Sequence, residues 1–502
     1  MLYSTIREIV LHSAQQYKDA DAIRYKIKKN QIGTKSYNDL KQDSESFSNV
    51  LQALGQQGNH IALTGMTSYS WLITYFGIVN SGSVAVPIDV SLPAEEICEL
   101  IDRADVTVFI VDNIRADVAA IVKSRCPKLK YLISMQQEQN TENMLSLWKL
   151  IEEHKASFDY EPKPEQLATI MFTSGTTGKS KGVMLSHRNM AENATCLDMR
   201  FPERSVLLTV LPVHHAYCLS MDILKGLSTG SIICINDSLI RMAKNIKLFQ
   251  PNIILMVPLM IETLAKKLED AQGLPAKLIK EQVFGTQLHT ICSGGAYLPP
   301  AMLDLFAKYD INILQGYGMT ECSPVISTTV SWNIRKGSVG QLLPNCEAKT
   351  INEELWVRGS SVMQGYYKMP KETEETLIDG WLRTGDLGYV DENRFVYLTG
   401  RKKNLIITKN GENVSPEELE NKLSEDHLVQ EILVRESQGI IEAEIFPDYE
   451  YAKKKEIENI QEVLQKIIDD YNLSAPAYKR IYHLKVRDTE FPKTPSKKIK
   501  RY

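Results

Sequence analysis

Nowhere among the 502 residues do eighteen apolar residues follow one another. No membrane-spanning helix is therefore expected, which leaves a peripheral contact with a bilayer compatible with the sequence. The N-terminal stretch MLYSTIREIVLHSAQQYKD lacks the apolar run of a secretory leader and reads as an amphipathic helix with Ile6, Ile9 and Val10 on one side. The eight cysteines, at 98, 126, 196, 218, 234, 292, 322 and 346, are never closer than sixteen residues. That spacing excludes CxxC-type zinc and redox pairs and points to free thiols in a reducing, cytoplasmic compartment. There is no internal repeat and no low-complexity tract. A net charge of −4 excludes a polycation built for nucleic acid. The basic residues gather instead at one end: residues 478–502 carry nine Lys and Arg against two acids, which leaves −11 on the remainder.

What is present is ordinary globular chain, 43 % apolar and 24 % charged, which excludes disorder and disulfide-scaffold readings for the whole molecule. At about 100–200 residues per domain the length implies two to four folding units. Short apolar runs (IALTG, SVAVPI, VTVFIVD, IICIND, NIILMVP, LHTICSGG, INILQGYG) alternate with helical segments, such as Glu95 to Ala104, as far as about residue 320. That alternation predicts an α/β architecture with substantially parallel sheets. From about 337 short strands and tight turns take over. After Gly400 a charged bridge, Arg401-Lys402-Lys403-Asn404, leads into about 100 residues that read as a separate α+β unit with helices at 416–424 and near 454–471. A domain boundary is expected near 400, giving units 1–400 and 401–502.

The most informative segment is Ala168 to Ser186, ATIMFTSGTTGKSKGVMLS. A strand (168–172) feeds a run of hydroxyls and glycines, Thr173, Ser174, Gly175, Thr176, Thr177 and Gly178, before Lys181-Gly182 and a second strand (183–185). Glycines let backbone approach an anion, and hydroxyls and N–H groups donate to phosphate oxygens. A Walker A loop needs four residues between its first glycine and GK; Gly175 and Gly178 have only two between them, so that reading fails.

MFTSGTTGKSKGVMLSHRN resembles the phosphate loop of the adenylate-forming superfamily, with Ser180 where that family usually has proline. Further segments resemble the same family in its own order. In Gln315-Gly316-Tyr317-Gly318-Met319-Thr320-Glu321, the resemblance implies Tyr317 stacking on adenine, Thr320 donating to the α-phosphate and Glu321 holding magnesium; the residue types suit those tasks. Ser293-Gly294-Gly295-Ala296 resembles the loop over the other adenine face. Thr384-Gly385-Asp386-Leu387 resembles the ribose motif, whose Asp386 offers two acceptor oxygens to two hydroxyls. In GRKKN (400–404) the resemblance implies Arg401 on ribose and phosphate and a hinge at Lys403. In FPKTPSKKIKR (491–501) it implies Lys498 as catalytic lysine, with Lys497 in place of the usual glycine. The family fold is a large N-terminal domain of layered α/β sheets with a small β-barrel, followed by a small mobile C-terminal α+β domain.

On the substrate side, Leu211-Pro212-Val213-His214-His215-Ala216-Tyr217 resembles the segment of acyl- and aryl-CoA synthetases in which a histidine, here His215, gates the carboxylate pocket. Amino-acid-activating members place an aspartate there, and no acid occurs between Glu203 and Asp222. The fatty acyl-CoA synthetase branch is the nearest in character. Small residues at Ser220, Gly226, Gly294 and Gly316 could let a chain pass. Lys402, Lys403, Lys479 and Arg480 could attract polyanionic CoA or an acidic carrier protein, and the resemblance implies a pantetheine channel near Gly411. The expected reaction is ATP-, magnesium- and CoA-dependent acid–thiol ligation. The alternatives are an enzyme that loads a carrier protein and a non-catalytic nucleotide- or acyl-binding relative.

Overall fold

The computed structural model describes residues 1–28, 31–173, 180–270, 273–408, 412–437, 439–493 and 499–501. Several helices begin where a short polar side chain can satisfy otherwise unpaired N–H groups. Thr5 with Glu8, Ser36 with Asp39 and Ser186 with Asn189 each form a reciprocal capping box. The first of these opens the helix Ile6–Tyr17, which buries Ile6, Ile9 and Val10 as the N-terminal pattern predicts. The helix Tyr69–Asn80 carries apolar residues all round and is buried all round, with Trp71 and Tyr75 stacked 5.5 Å apart.

Two large sheets dominate the first 345 residues. In the nine-stranded sheet, six neighbours run parallel in the spatial order Asn312–Gly318, Thr290–Ser293, Ile253–Met256, Val206–Thr209, Ile232–Ile235, Asp21–Lys28. In the eight-stranded sheet, Leu167–Thr173, Val84–Ile88, His60–Thr64, Val106–Val111, Tyr131–Ser134 and Leu145–Ser146 are parallel. Lys181–Ser186 and Gly365–Tyr366 add antiparallel on its edge. Parallel strands covered by helices are the α/β class expected from the alternation. The β-rich section after 337 forms a five-stranded antiparallel sheet built around Trp381–Val390.

Beyond residue 405 the chain has its own hydrophobic cluster, from Ile406 to Leu484, around the strands Val429–Ser437, Ile440–Pro447 and Ile481–Val486. Its first helix is Pro416–Leu423, as expected. The second differs from the expected 454–471. A short helix, Tyr449–Lys454, ends before Glu456, whose φ of +54° no α-helix accommodates. A new helix, Ile460–Ser474, then starts where the Asn459 side chain accepts from the N–H of Glu462. All eight cysteines are free thiols. Among the described residues no helix is long and apolar enough to cross a membrane.

This topology sets where chemistry can sit. The segment 294–296 leaves the carboxyl end of Thr290–Ser293, and residues 319–321 leave the carboxyl end of the adjacent strand Asn312–Gly318. Thr173 ends the strand that feeds the phosphate-loop segment. Ligand crevices of α/β sheets lie outside such carboxyl ends.

Candidate functional site

Three residues singled out from distant parts of the sequence meet around one carboxylate. Asp386, 4 % exposed, lies opposite Arg401 in the antiparallel pairing of Trp381–Val390 with Val396–Arg401. Arg401 Nε lies 2.6 Å from Asp386 Oδ1, and the Tyr317 hydroxyl donates to Oδ2 at 2.7 Å. Burial, reinforced by the Asp386 charge, raises the Tyr317 hydroxyl pKa well above its ordinary value, so at neutral pH the phenol remains a donor. The Asp386 N–H donates to Thr384 Oγ1 at 3.1 Å, and the Thr384 hydroxyl donates to the Leu355 carbonyl at 2.6 Å. Glu354, almost fully buried, accepts from the Gly385 N–H at 3.2 Å and from Lys402 Nζ at 2.8 Å. The strand segment carrying Asp386 is thus tied down from both sides. A buried carboxylate with one oxygen toward a cation and one toward a phenol can accept paired hydroxyls by exchanging partners.

Gly318 is required by close approach. A Cβ there would stand 1.9 Å from the Pro324 carbonyl oxygen, which is backbone and cannot yield. Gly318→Ala is expected to destabilise the protein by about 1–3 kcal/mol. It should also displace Tyr317, so that ATP raises the melting temperature less than in the parent; thermal melts with and without ATP check both effects. Gly295 has φ +88°, the left-handed region that glycine adopts without strain, and Gly295 and Ala296 are exposed.

Glu321 is 8 % exposed on the short 3₁₀ turn Thr320–Cys322, next to half-buried Thr320. Its Oε1 accepts from the Tyr366 hydroxyl at 2.9 Å. Lys181 opens the strand Lys181–Ser186 opposite Thr173, and its Nζ sits 4.6 Å from the centroid of the Tyr366 ring. Ser174, Gly175, Thr176 and Thr177 lie outside the described residues, as do Gly411, Lys497 and Lys498. At Ser180 the phosphate-loop segment is anchored by Arg103, at the end of the helix Ala94–Arg103. It donates to the Ser180 carbonyl at 2.6 Å and stacks over Phe172 at 5.5 Å. The sequence reading missed both Tyr366 and Arg103. Tyr366 belongs to a two-residue edge strand, and Arg103 looks like any cation in a helix's last turn.

The histidine pair divides in two. His214 is buried, 3.7 Å from Asp89, and burial together with its neighbour His215 pushes its pKa down to about 3, so it is neutral at pH 7. His215 is exposed, with its ring 4.4 Å from that of His214. The π-helical turn Cys218–Leu224 follows. Of the small residues, Gly294 faces the Tyr217 ring, whereas Gly226 packs against Ile233 and Ser220 donates to the Ser323 carbonyl at 2.7 Å. Of the basic residues suggested for CoA, Lys402 pairs with Glu354 and Lys479 with Glu418, each within 2.8 Å. Burial, with Arg401 nearby, lowers the Lys403 pKa.

A layered α/β body with segments 294–296 and 319–321 at adjacent strand ends, a buried Asp–Tyr pair capped by half-exposed Arg401 and a further buried carboxylate at Glu321 is the build of a nucleotide-binding enzyme. The family model for AMP-binding enzymes matches residues 10–367, the model for the AMP-binding enzyme C-terminal domain matches residues 403–502, and the chain belongs to this family. It is 27 % identical over 484 residues to a long-chain-fatty-acid–CoA ligase of Salmonella typhimurium, covering 86 % of this chain and 82 % of that protein. It is 28 % identical over 477 residues to the enzyme of the same name from Bacillus subtilis, again covering 86 % and 82 %. Among solved structures, an anthranilate CoA ligase in complex with anthranoyl-AMP superposes with a TM-score of 0.84 at 21 % identity, over 99 % of this chain and 96 % of that one. A fatty acyl CoA synthetase from Mycobacterium tuberculosis superposes with 0.73 at 21 %, over 99 % and 97 %. At such identities the structural likeness establishes the fold.

Proposed function

We propose that this AMP-forming acyl-CoA synthetase activates a medium- or long-chain fatty acid as acyl-AMP and passes it to coenzyme A in the cytoplasm. The single observation that carries the nucleotide half of this reading is the convergence of Tyr317, Asp386 and Arg401, with distances of 2.6 and 2.7 Å, from three separated motifs. Its fatty-acid half is supported by the bacterial relatives named long-chain-fatty-acid–CoA ligases and by the absence of an acid between Glu203 and Asp222.

In this reading the substrate carboxylate attacks the α-phosphate of ATP and pyrophosphate leaves. Asp386 and Arg401 hold the ribose, Tyr317 and the segment Gly295-Ala296 flank the adenine, and Thr320 donates to the α-phosphate. Thr173, Ser174, Gly175, Thr176, Thr177 and Lys181 cradle the β- and γ-phosphates, and Lys498 opposes the charge that develops at the α-phosphate. His215 gates the carboxylate pocket. The unit 401–502 then turns about Lys403, carries Lys498 away and brings Gly411 to the pantetheine path, where the thiol attacks the acyl carbonyl and AMP leaves.

Magnesium fits Glu321. Among the described residues no group of three or more His, Cys, Asp or Glu side chains could hold a metal ion, and the one carboxylate this reading assigns to magnesium is Glu321. Magnesium is commonly held by one or two carboxylates plus substrate phosphates and water. When bound it would neutralise phosphate charge.

The test is pyrophosphate release over a panel of acids. Straight-chain acids of about six to sixteen carbons should give the strongest release. α-Amino acids should give little, because the segment between Glu203 and Asp222 offers no acid to the ammonium group. Strong release with an amino acid and none with alkyl acids would refute the assignment. Loading of a carrier protein in place of CoA would redirect the second half-reaction alone.

A further inference from the structure

Tyr366 is held more firmly than its two-residue strand suggests. Gly365 and Tyr366 pair with Met184 and Val183 on the strand that leaves the phosphate-loop segment. The Gln364 N–H donates to the Met184 carbonyl at 2.9 Å and the Tyr367 N–H to the Gly182 carbonyl at 2.7 Å. The Tyr366 N–H donates to Thr373 Oγ1 at 2.9 Å. From this backbone a single side chain, 5 % exposed, reaches two groups that the sequence places 140 residues apart. Its hydroxyl donates to Glu321 Oε1 at 2.9 Å, and its ring lies 4.6 Å below Lys181 Nζ.

A carboxylate turns about its last bond, so an isolated glutamate presents either oxygen in any direction. A hydroxyl fixed to Oε1 removes that freedom and sets the plane in which Oε2 is offered. Hydrogen-bond partners of metal-ligating carboxylates act in this way, and their removal typically costs about 10–100-fold in metal affinity. An aromatic face beneath an ammonium group holds the cation by its quadrupole without neutralising it, as a carboxylate would. The Tyr366 ring thus holds the Lys181 side chain in place.

We propose that Tyr366 is a positioning residue that joins the two halves of the triphosphate site: its hydroxyl aims the Glu321 carboxylate at the metal, and its ring holds the Lys181 ammonium toward the phosphates. This rests on the reading of Glu321 as the magnesium ligand, and the experiment separates the two.

Mn²⁺ binding to the full-length protein with a non-hydrolysable ATP analogue is followed by electron paramagnetic resonance, and the Mg²⁺ dependence of pyrophosphate release is measured alongside. Tyr366→Phe keeps the ring and removes only the hydroxyl. It should weaken Mn²⁺ binding about 10–100-fold and raise the Mg²⁺ requirement in parallel, while metal-free nucleotide affinity changes by less than about threefold. Tyr366→Leu removes the ring as well and should add a further loss of about two- to fivefold in metal-free nucleotide affinity. A purely structural role would lower melting temperature and both affinities together in the two variants, which would overturn the proposal. Glu321→Gln is the reference. If it raises the metal requirement and Tyr366→Phe does not, the positioning role is wrong and the metal reading stands. If Glu321→Gln leaves the requirement unchanged, the metal reading itself fails, and this inference with it.

Discussion

Lys498→Ala is expected to lose adenylate formation by about 10²–10³ in rate, the typical effect of removing one donor aimed at charge that develops in a transition state. The same variant should still convert supplied acyl-AMP and CoA to thioester. The contacts of the chain on either side of the lysine are the reason to expect the two activities to part. Lys493 pairs with Ile499 in a β-bridge, and the Lys500 N–H donates to the Pro492 carbonyl at 2.8 Å. Lys493 is ion-paired to Glu431 and Glu490, and Arg501 to Glu420 and Glu417. Every one of those partners belongs to residues 401–502, so under the proposed turn of that unit the flanking chain, and the lysine with it, would move away from the adenylation site. Gly411→Leu should give the opposite pattern, with adenylation intact and thioester formation blocked. Pyrophosphate release for the first half-reaction, and thioester formation from acyl-AMP for the second, measure the two separately. Equal loss of both in Lys498→Ala would refute the division of labour. Near-normal adenylation in Lys498→Ala, with loss in Lys497→Ala, would move the catalytic role by one residue.

Asp386→Ala is the second large effect. Hydrogen bonds to a charged group contribute about 1.5–3 kcal/mol each, and two ribose hydroxyls are at stake. The expected loss is therefore about 10²-fold or more in ATP affinity, with adenylate formation falling in step. The environment of Asp386 adds a second consequence. Without the carboxylate, the buried Tyr317 hydroxyl loses the acceptor to which it donates at 2.7 Å. Arg401 is 42 % exposed and can turn to solvent at little cost. Asp386→Asn, which keeps an acceptor for Tyr317, should restore stability without restoring ATP affinity. Isothermal titration with ATP and thermal melting separate these effects, and an unchanged ATP affinity in Asp386→Ala would place the ribose elsewhere.

Much of the α/β architecture was legible because its signals are local. Val106–Val111, Ile253–Met256 and Thr290–Ser293 are short apolar runs bounded by breakers, and each becomes a buried parallel strand. The helix break at Glu456 was not legible, because Lys453 to Glu458 contains neither glycine nor proline and any of its residues suits a helix by propensity. The two histidines at 214 and 215 are the same residue type side by side. Only packing against the neighbouring elements leaves one buried and neutral and the other exposed.

The sequence by itself determined the chemistry available: a hydroxyl-rich loop with Lys181, a carboxylate at Glu321, another at Asp386 and a basic C-terminal segment, in an order that resembles one family. Residue type and local spacing suffice for that, since each motif spans a few neighbours along the chain. The tertiary structure decided the partnerships. Asp386 meets Arg401 because two antiparallel strands set them opposite, and Tyr317 because its strand ends beneath that pair. Glu321 and Lys181 share Tyr366 because a two-residue edge strand pairs beyond the phosphate-loop segment. Such contacts depend on how sheets register and pack against one another, and the free energy that fixes them belongs to the whole core, so no stretch of sequence carries it alone.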